Sequence, residues 1–245
     1  MQKLLGLARR CIEDYRMIEP GDRIAVGLSG GKDSLLTLLA LTRLREFLPE
    51  SYELAAVTLD LGVPGMDFSP LADYCASLGV PFTLKQTHIY SVIFEERKES
   101  NPCSMCAKMR RGALVRIAGE LGCNKLALGH HYDDAVETFL MSLLYEGRLA
   151  CFQPVTFLSR SGMTQIRPLL YVREDKLARM AEALTLPVVK NACPADGHTK
   201  RQEVKELIDR LSGDYPNLKD YVFGAMQRLP LPHWEKARQS PESEP

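Results

Sequence analysis

No stretch of the chain approaches the roughly 18 consecutive apolar residues that a membrane helix requires, so a spanning segment is not expected. Neither sign of charge is in excess: 31 basic and 31 acidic residues leave a formal net charge of zero. A nucleic-acid partner, if there is one, must therefore meet a local basic face. Residues 1–17 carry an amphipathic pattern without the apolar core and small-residue cleavage site of a signal peptide, and a cytoplasmic protein is expected. The seven cysteines are odd in number and come without a secretory signal, which argues against a disulfide framework. There is no internal repeat. Apolar residues at 45% and charged residues at 25% are the balance of an ordinary globular protein, and 245 residues suffice for one large or two small domains.

Strand-like and helix-like runs alternate, which predicts an α/β fold with a doubly wound parallel sheet covered by helices. A helix is expected at about 2–17, then strands at 22–28, 53–59, 81–86 and 125–128, separated by helices at about 33–47, 69–78 and 104–121. Another helix follows at about 133–146. Residues 154–158 and 164–167 flank Ser161-Gly162 and predict a hairpin. A helix at about 173–184 and a short strand at 187–189 come next, and 200–229 reads as charged and helical. The domain organisation expected is an N-terminal helix (1–21), a nucleotide domain carrying the C-x-x-C (22–190), a C-terminal loop with helices (191–234) and a disordered tail (235–245).

The strongest motif is Leu28-Ser-Gly-Gly-Lys-Asp-Ser34, set between a strand and a helix. Backbone N–H groups in such a turn, together with the helix N-terminus, form an anion site. Gly30 and Gly31 let the backbone approach phosphate, Ser29 and Ser34 offer hydroxyls, and Lys32 adds positive charge. The Walker A loop is excluded, because position 26 is Val rather than Gly and Asp33 follows Lys32.

Ser-Gly-Gly-x-Asp-Ser after a strand resembles the loop of the PP-loop ATP pyrophosphatases. That resemblance implies ATP cleavage between the α and β phosphates, with the loop cradling the leaving pyrophosphate. It also implies a Mg²⁺ ion near Asp33, with Asp60 at the end of the second strand on the adenosine side.

Pro102-Cys-Ser-Met-Cys106 contains one C-x-x-C, and Cys193 lies far downstream in a loop-like stretch. Three thiolates with one open position suit an iron–sulfur cluster; three with His198, His130 or His131 suit zinc. Cys11, Cys75, Cys123 and Cys151 read as small buried hydrophobes. Gly129-His-His-Tyr-Asp-Asp134 follows a strand and opens a helix, where open α/β sheets place ligands. Asp133 and Asp134 there read either as helix N-caps or as groups that bind Mg²⁺ or position a substrate base. Lys108, Arg110, Arg111 and Arg116 share one helix, with Arg148, Arg167, Arg173, Lys200 and Arg201 elsewhere; RNA contact and a solvated charged face are the two readings.

The C-x-x-C with Arg110-Arg-Gly112, then Ala127–Asp134, Ile166-Arg-Pro-Leu169 and the late Cys193, resemble in order the TtcA branch of the PP-loop enzymes, the tRNA 2-thiocytidine synthetases. The likeness runs from about Asp22 to Trp234. It implies a [4Fe–4S] cluster on Cys103, Cys106 and Cys193, and ATP held by Ser29–Ser34, Asp60, Gly129 and His130. Chemistry is expected at Lys32, Asp33, Asp133, Asp134 and Arg110. The partners implied are tRNA, ATP and a sulfur donor (a cysteine desulfurase or free sulfide), with a homodimer as the expected assembly. After Cys193 the chain reads Pro-Ala-Asp-Gly-His, where the best-known members carry a second C-x-x-C; the ligand count is unaffected. The expected reaction adenylates a base carbonyl, at C2 of cytidine, and replaces its oxygen with sulfur. The alternatives are a thiolase acting on tRNA uridine or a small metabolite, a zinc-bearing ligase joining an amine to tRNA, and a cluster-bearing RNA-binding or redox-sensing protein with an inactive nucleotide site.

Overall fold

The computed structural model describes residues 1–97, 102–189 and 200–228. Six strands form one sheet: β1 (Asp22–Gly27), β2 (Tyr52–Asp60), β3 (Phe82–Gln86), β4 (Lys125–Ala127), β5 (Val155–Leu158) and β6 (Met163–Ile166). Their order is β3-β2-β1-β4-β6-β5, all parallel except the β5–β6 pair. The expected α/β architecture is the one observed. Among the described residues no helix is long and apolar enough to cross a membrane.

The sheet alternates cleanly between two faces. Ile24, Val26, Leu54, Ala56, Ala127 and Ile166 join one core, packed by α1 (Gln2–Asp14), α2 (Lys32–Leu44), α5 (Tyr132–Glu146) and α6 (Glu174–Ala183). The same core takes in Val204, Ile208, Phe223 and Met226 from α7 (Lys200–Asp214) and α8 (Leu218–Arg228). Ala25, Val57, Leu59, Leu126 and Met163 face the opposite side, where α4 (Pro102–Glu120) contributes Ile117 and Ala118. The period-2 pattern of strands buried on both faces explains why these strands read as unbroken apolar runs. Leu4, Ala8, Cys11 and Ile12, all buried, repeat at helical spacing and fix α1 on the first core. α3 (Ser69–Ser77) seats Leu71 against Leu35 and Phe68.

The chain winds outward from β1 to β2 and β3, then crosses to β4 on the other flank of β1. β1 and β4 are therefore the pair at which the winding reverses, and the crevice beyond their C-terminal ends is where such sheets bind ligands.

Several boundaries differ from the sequence reading. The first helix stops at Asp14 rather than 17, because Arg16 takes a left-handed φ of 46° and turns Met17 and Ile18 into the core. The strand expected at 187–189 does not form. Val188 N–H turns back to Leu186 O, and Val189 N–H donates to Gly30 O at 3.0 Å, so its backbone serves a loop and not a ladder. A π-helical turn at Ser91–Glu96 precedes α4 and has no local sequence signature. The charged stretch 200–229 is two helices, α7 and α8, broken at Tyr215–Asn217.

Leu126 sits fully buried at the centre of β4. Leu126→Ala is expected to cost about 2–5 kcal/mol of stability, the usual cost of a large-to-small change in a packed core. Urea unfolding checks it, with a loss under 1 kcal/mol counting against the packing described.

Candidate active site

The loop after β1 is prefolded by its own hydroxyls. Ser34 Oγ donates to Gly31 O at 2.8 Å and lies 3.3 Å from Ser29 Oγ, while Ser29 N–H donates to Ser34 Oγ at 3.2 Å. No side chain caps the N-terminus of α2, whose Ncap is Gly31, so its first amides face the crevice as an anion site. Gly30 holds φ of +85°, and a β-carbon there would lie 2.9 Å from Val189 Cβ. Only glycine satisfies both demands.

A second turn, Leu128–His131, comes down on this loop from β4. A β-carbon on Gly129 would meet the backbone of Asp33 and Ser34 at 2.9 Å. The two turns bring together Asp33, His131 and Asp134: His131 Nε2 is 4.0 Å from Asp33 Oδ2 and 3.5 Å from Asp134 Oδ2. Capping of α5 falls to His131, whose Nδ1 accepts from Asp134 N–H at 3.4 Å while Asp134 Oδ2 accepts from His131 N–H at 3.0 Å. Asp134 thus completes a capping box. Asp133 caps a different helix: its Oδ2 accepts Glu174 N–H, the first amide of α6, at 2.7 Å, and its Oδ1 takes Lys219 Nζ of α8 at 2.8 Å. Asp133 is buried and its carboxylate is committed on both sides.

Asp33 is different. Burial pushes its carboxyl pKa up, against the charges of His131 and Lys32, and its Oδ1 is buried with no hydrogen-bond partner. An orphaned carboxylate oxygen beside an anion-binding turn fits the seat of a divalent cation. Lys32 Nζ lies 3.2 Å from the other Asp33 oxygen and 3.4 Å from Glu174 Oε1.

A cavity of about 480 Å³ opens in front of the loop. Ser29, Gly31, Asp33 and Ser34 line one wall; Leu59 and Leu61, flanking Asp60, line the side toward β2. Asp60 itself is not in the lining, and its Oδ1 accepts Gly62 N–H at 2.9 Å. Gly129, His130 and Gln165 form the floor. Burial, followed by the charge of Arg167, brings the His130 pKa down to about 4, so the ring is neutral at physiological pH. It packs on Phe152 at 4.8 Å.

The opposite wall is one face of α4: Ala107, Arg110, Arg111 and Leu114. Cys103 and Cys106 lie one turn earlier on that stripe, i−4 from Ala107 and Arg110, with Cys103 exposed and Cys106 half-buried. Two sulfurs at i, i+3 spacing, one helical turn before residues that line a nucleotide-sized cavity, fit a cluster or metal seat. The third expected ligand, Cys193, and His198 lie outside the described residues. Among the described residues no three His, Cys, Asp or Glu side chains gather as a metal site.

Glu174, Lys205, Lys219 and Gln165 reach the site or its immediate support without having been singled out in the sequence. Each comes from an element distant in the chain, and no local motif marks them.

Comparison with known proteins agrees with this geometry. A family model described as a PP-loop domain matches residues 6–211. The tRNA-cytidine(32) 2-sulfurtransferase of Pelobacter propionicus is 40% identical over 231 residues, covering 93% of this chain and 86% of that protein. The protein of the same name from Syntrophotalea carbinolica is 40% identical over 235 residues, covering 95% and 91%. Among solved structures, the U34-tRNA thiolase NcsA from Methanococcus maripaludis with its [4Fe–4S] cluster superposes with a TM-score of 0.75 at 26% identity, covering 91% of this chain and 77% of that one.

Gly129→Ala tests the contact between the two turns. The added carbon meets backbone rather than a flexible side chain, so a loss of about 1–3 kcal/mol is expected, the usual cost of overpacking. ATP affinity should fall with it, measured by calorimetry. Unchanged stability and unchanged ATP binding would show that the turns separate freely.

Proposed function

Because the chain belongs to the tRNA-cytidine(32) 2-sulfurtransferase family of PP-loop proteins, we propose that its cavity adenylates the C2 carbonyl oxygen of a tRNA cytidine and exchanges that oxygen for sulfur. The observation that carries this reading is the pairing of two walls across one cavity. An uncapped helix N-terminus with a prefolded Ser/Gly loop faces a helix stripe bearing Arg110 and Arg111, and the preceding turn of that helix carries Cys103 and Cys106.

The division of labour follows from chemistry. Oxygen bound to carbon is a poor leaving group, and its attack on the α phosphorus of ATP releases pyrophosphate and turns it into the oxygen of AMP. The backbone amides at Gly31–Ser34 and Lys32 hold the β and γ phosphates, fixing the α phosphorus for in-line attack. Asp33, whose Oδ1 is unpaired, would hold a Mg²⁺ ion, which would supply positive charge beside the leaving pyrophosphate. The apolar side chains of Leu59 and Leu61 pack the adenosine, and Gly129 and His130 bound the floor on which the two substrates meet. Cys103, Cys106 and Cys193 would hold the [4Fe–4S] cluster, which supplies a site from which sulfur is delivered to the activated carbon. Arg110 and Arg111, exposed on α4, bind the phosphates flanking the target nucleotide and the charge of the adenylate. A single-stranded loop suits this site, because its bases can be splayed into a pocket. An amine-joining ligase gives the two cysteines of α4 no task.

The products of ATP turnover are expected to be AMP and pyrophosphate, with Lys32→Ala and Asp33→Ala each lowering turnover by about 10²-fold or more. ADP and phosphate as products would contradict the reading. Protein purified without oxygen should carry about four irons per chain, lost in Cys103→Ser, Cys106→Ser and Cys193→Ser but not in Cys75→Ser. Stoichiometric zinc without iron would point to a different sulfur chemistry. Lys108→Glu with Arg111→Glu should weaken tRNA binding and leave iron content and ATP binding intact. Mass spectrometry of tRNA nucleosides from a deletion strain and its complemented control settles the base: loss of a thiocytidine is expected, and loss of a thiouridine alone would reassign it.

A further inference from the structure

Lys32, the one cation of the phosphate loop, is not in the cavity lining. Its ammonium is turned aside to a carboxylate 142 positions away, Glu174 Oε1 at 3.4 Å, while staying 3.2 Å from Asp33 Oδ2. Glu174 is the first residue of α6, and its backbone N–H is pinned by Asp133 at 2.7 Å. Asp133 in turn is held by Lys219 at 2.8 Å. The second oxygen of Glu174 is taken by Lys205 Nζ of α7 at 2.7 Å. Each carboxylate oxygen of Glu174 therefore serves one lysine, from opposite sides.

We propose that Glu174 is a positioning residue for Lys32, holding its ammonium at the edge of the phosphate loop until ATP arrives, and that Lys205 is the counter-ion left with Glu174 when Lys32 turns to the phosphates. The inference rests on the reading of Ser29–Ser34 as the ATP-phosphate loop. The physical need is plain. A carboxylate this near the loop would repel a triphosphate if Lys32 were its only partner, because engaging ATP would leave it bare. Lys205, at the shorter distance, removes that penalty. Burial works against ionisation of Glu174, but the hydrogen bond and charge of Lys205 and the charge of Lys32 outweigh it and bring its pKa down to about 2, so the bridge is charged under all ordinary conditions. Without Glu174, Lys32 would be left with Asp33 alone, and pairing through Oδ2 would offset the charge of the carboxylate whose Oδ1 is free for a cation.

The test is steady-state pyrophosphate release by the full-length, cluster-loaded protein with its substrate tRNA, titrated with ATP. Glu174→Gln should raise the KM for ATP about tenfold, the scale of losing an outer partner of a ligand-holding group, with kcat changed less. Lys205→Met should raise it at least as much, because it leaves an uncompensated carboxylate by the triphosphate. The double variant Glu174→Gln/Lys205→Met should bind ATP better than Lys205→Met alone, since the offending charge is gone. In a Lys32→Ala background, Glu174→Gln should add nothing. Lys205→Arg and Glu174→Asp, which keep the charges, should lie near the parent protein; they stand in for any variant whose thermal midpoint shows it unfolded. Unchanged KM in Glu174→Gln, additive losses in the double variant, or an equal loss in the Lys32→Ala background would each overturn the inference while sparing the function proposed above. If Lys32→Ala itself leaves both KM and kcat unchanged, the loop reading fails and takes this inference with it.

Discussion

Two backbone turns meet at the C-terminal edge of the sheet with no room for one carbon atom between them. The turn after β4 passes so close to the first residues of α2 that a β-carbon on Gly129 would sit 2.9 Å from the Asp33 carbonyl carbon and the Ser34 nitrogen. Parallel strands β1 and β4 are neighbours in the sheet, so their following loops start about one strand spacing apart. Because each strand then leads into a helix N-terminus, the contact also brings two helix ends together. That is why Asp33, His131 and Asp134 lie within a few ångströms of one another although they come from stretches a hundred residues apart. The absence of a side chain at Gly129 is as much a part of the site as the carboxylates.

Gathering acidic groups at one edge creates an electrostatic problem, and the C-terminal helices answer it. Asp133 takes Lys219 from α8, Glu174 takes Lys205 from α7, and Asp134 and Glu137 take Arg201 from α7. These cations keep roughly a quarter to two fifths of their surface in water, so each pair adds little net stability. What they supply is geometry: Asp133, Asp134, Glu137 and Glu174 each have a cation from α7 or α8 as partner. Among the described residues, Asp33 presents the one buried carboxylate oxygen without a hydrogen-bond partner. A cation entering the crevice therefore meets one acceptor poised for it, and the fold of α7 and α8 decides which one that is. The apolar residues Val204, Ile208, Phe223 and Met226 hold those helices to the same core as α1 and α2, which ties the charge pattern to the packing of the whole domain.

What could be read in the sequence was what is contiguous in it. The loop Ser29–Ser34 is a local object: strand, two glycines, two serines, helix, all within a dozen residues, and it stands as expected. The sheet was legible because strands buried on both faces are apolar throughout, and α1 because its buried residues repeat at helical spacing. The misses share a cause. Where Asp133 was expected to cap its own helix, it caps one that begins 41 positions later. Residues 187–189 have a strand's composition, yet the two edges of the sheet belong to β3 and β5, and Val189 spends its N–H on Gly30. Glu174 and Lys205 look like ordinary surface charges on amphipathic helices, and nothing local separates them from Glu182 or Lys176. Long-range partners have no signature in one sequence.

The arrangement of the two walls bears on how one small cavity can run two consecutive steps. Adenylation requires negative charge to be stabilised at the phosphate wall, and sulfur delivery requires a nucleophile to reach the same carbon without displacing that charge. If both sets of groups stood on one wall, the phosphates and the cysteine sulfurs would compete for the same space. In the function proposed above, the phosphates would lie at the loop and the cysteines beyond the α4 wall, with a neutral His130 and the amide of Gln165 lining the cavity of about 480 Å³ between. Arg110 and Arg111 stand on the sulfur side, one turn beyond the cysteines, so positive charge faces the phosphates from the far wall as well as from the loop. α4 can present cysteines and arginines together because a helical stripe repeats every three to four residues, and Cys103, Cys106, Arg110 and Leu114 occupy successive turns of it.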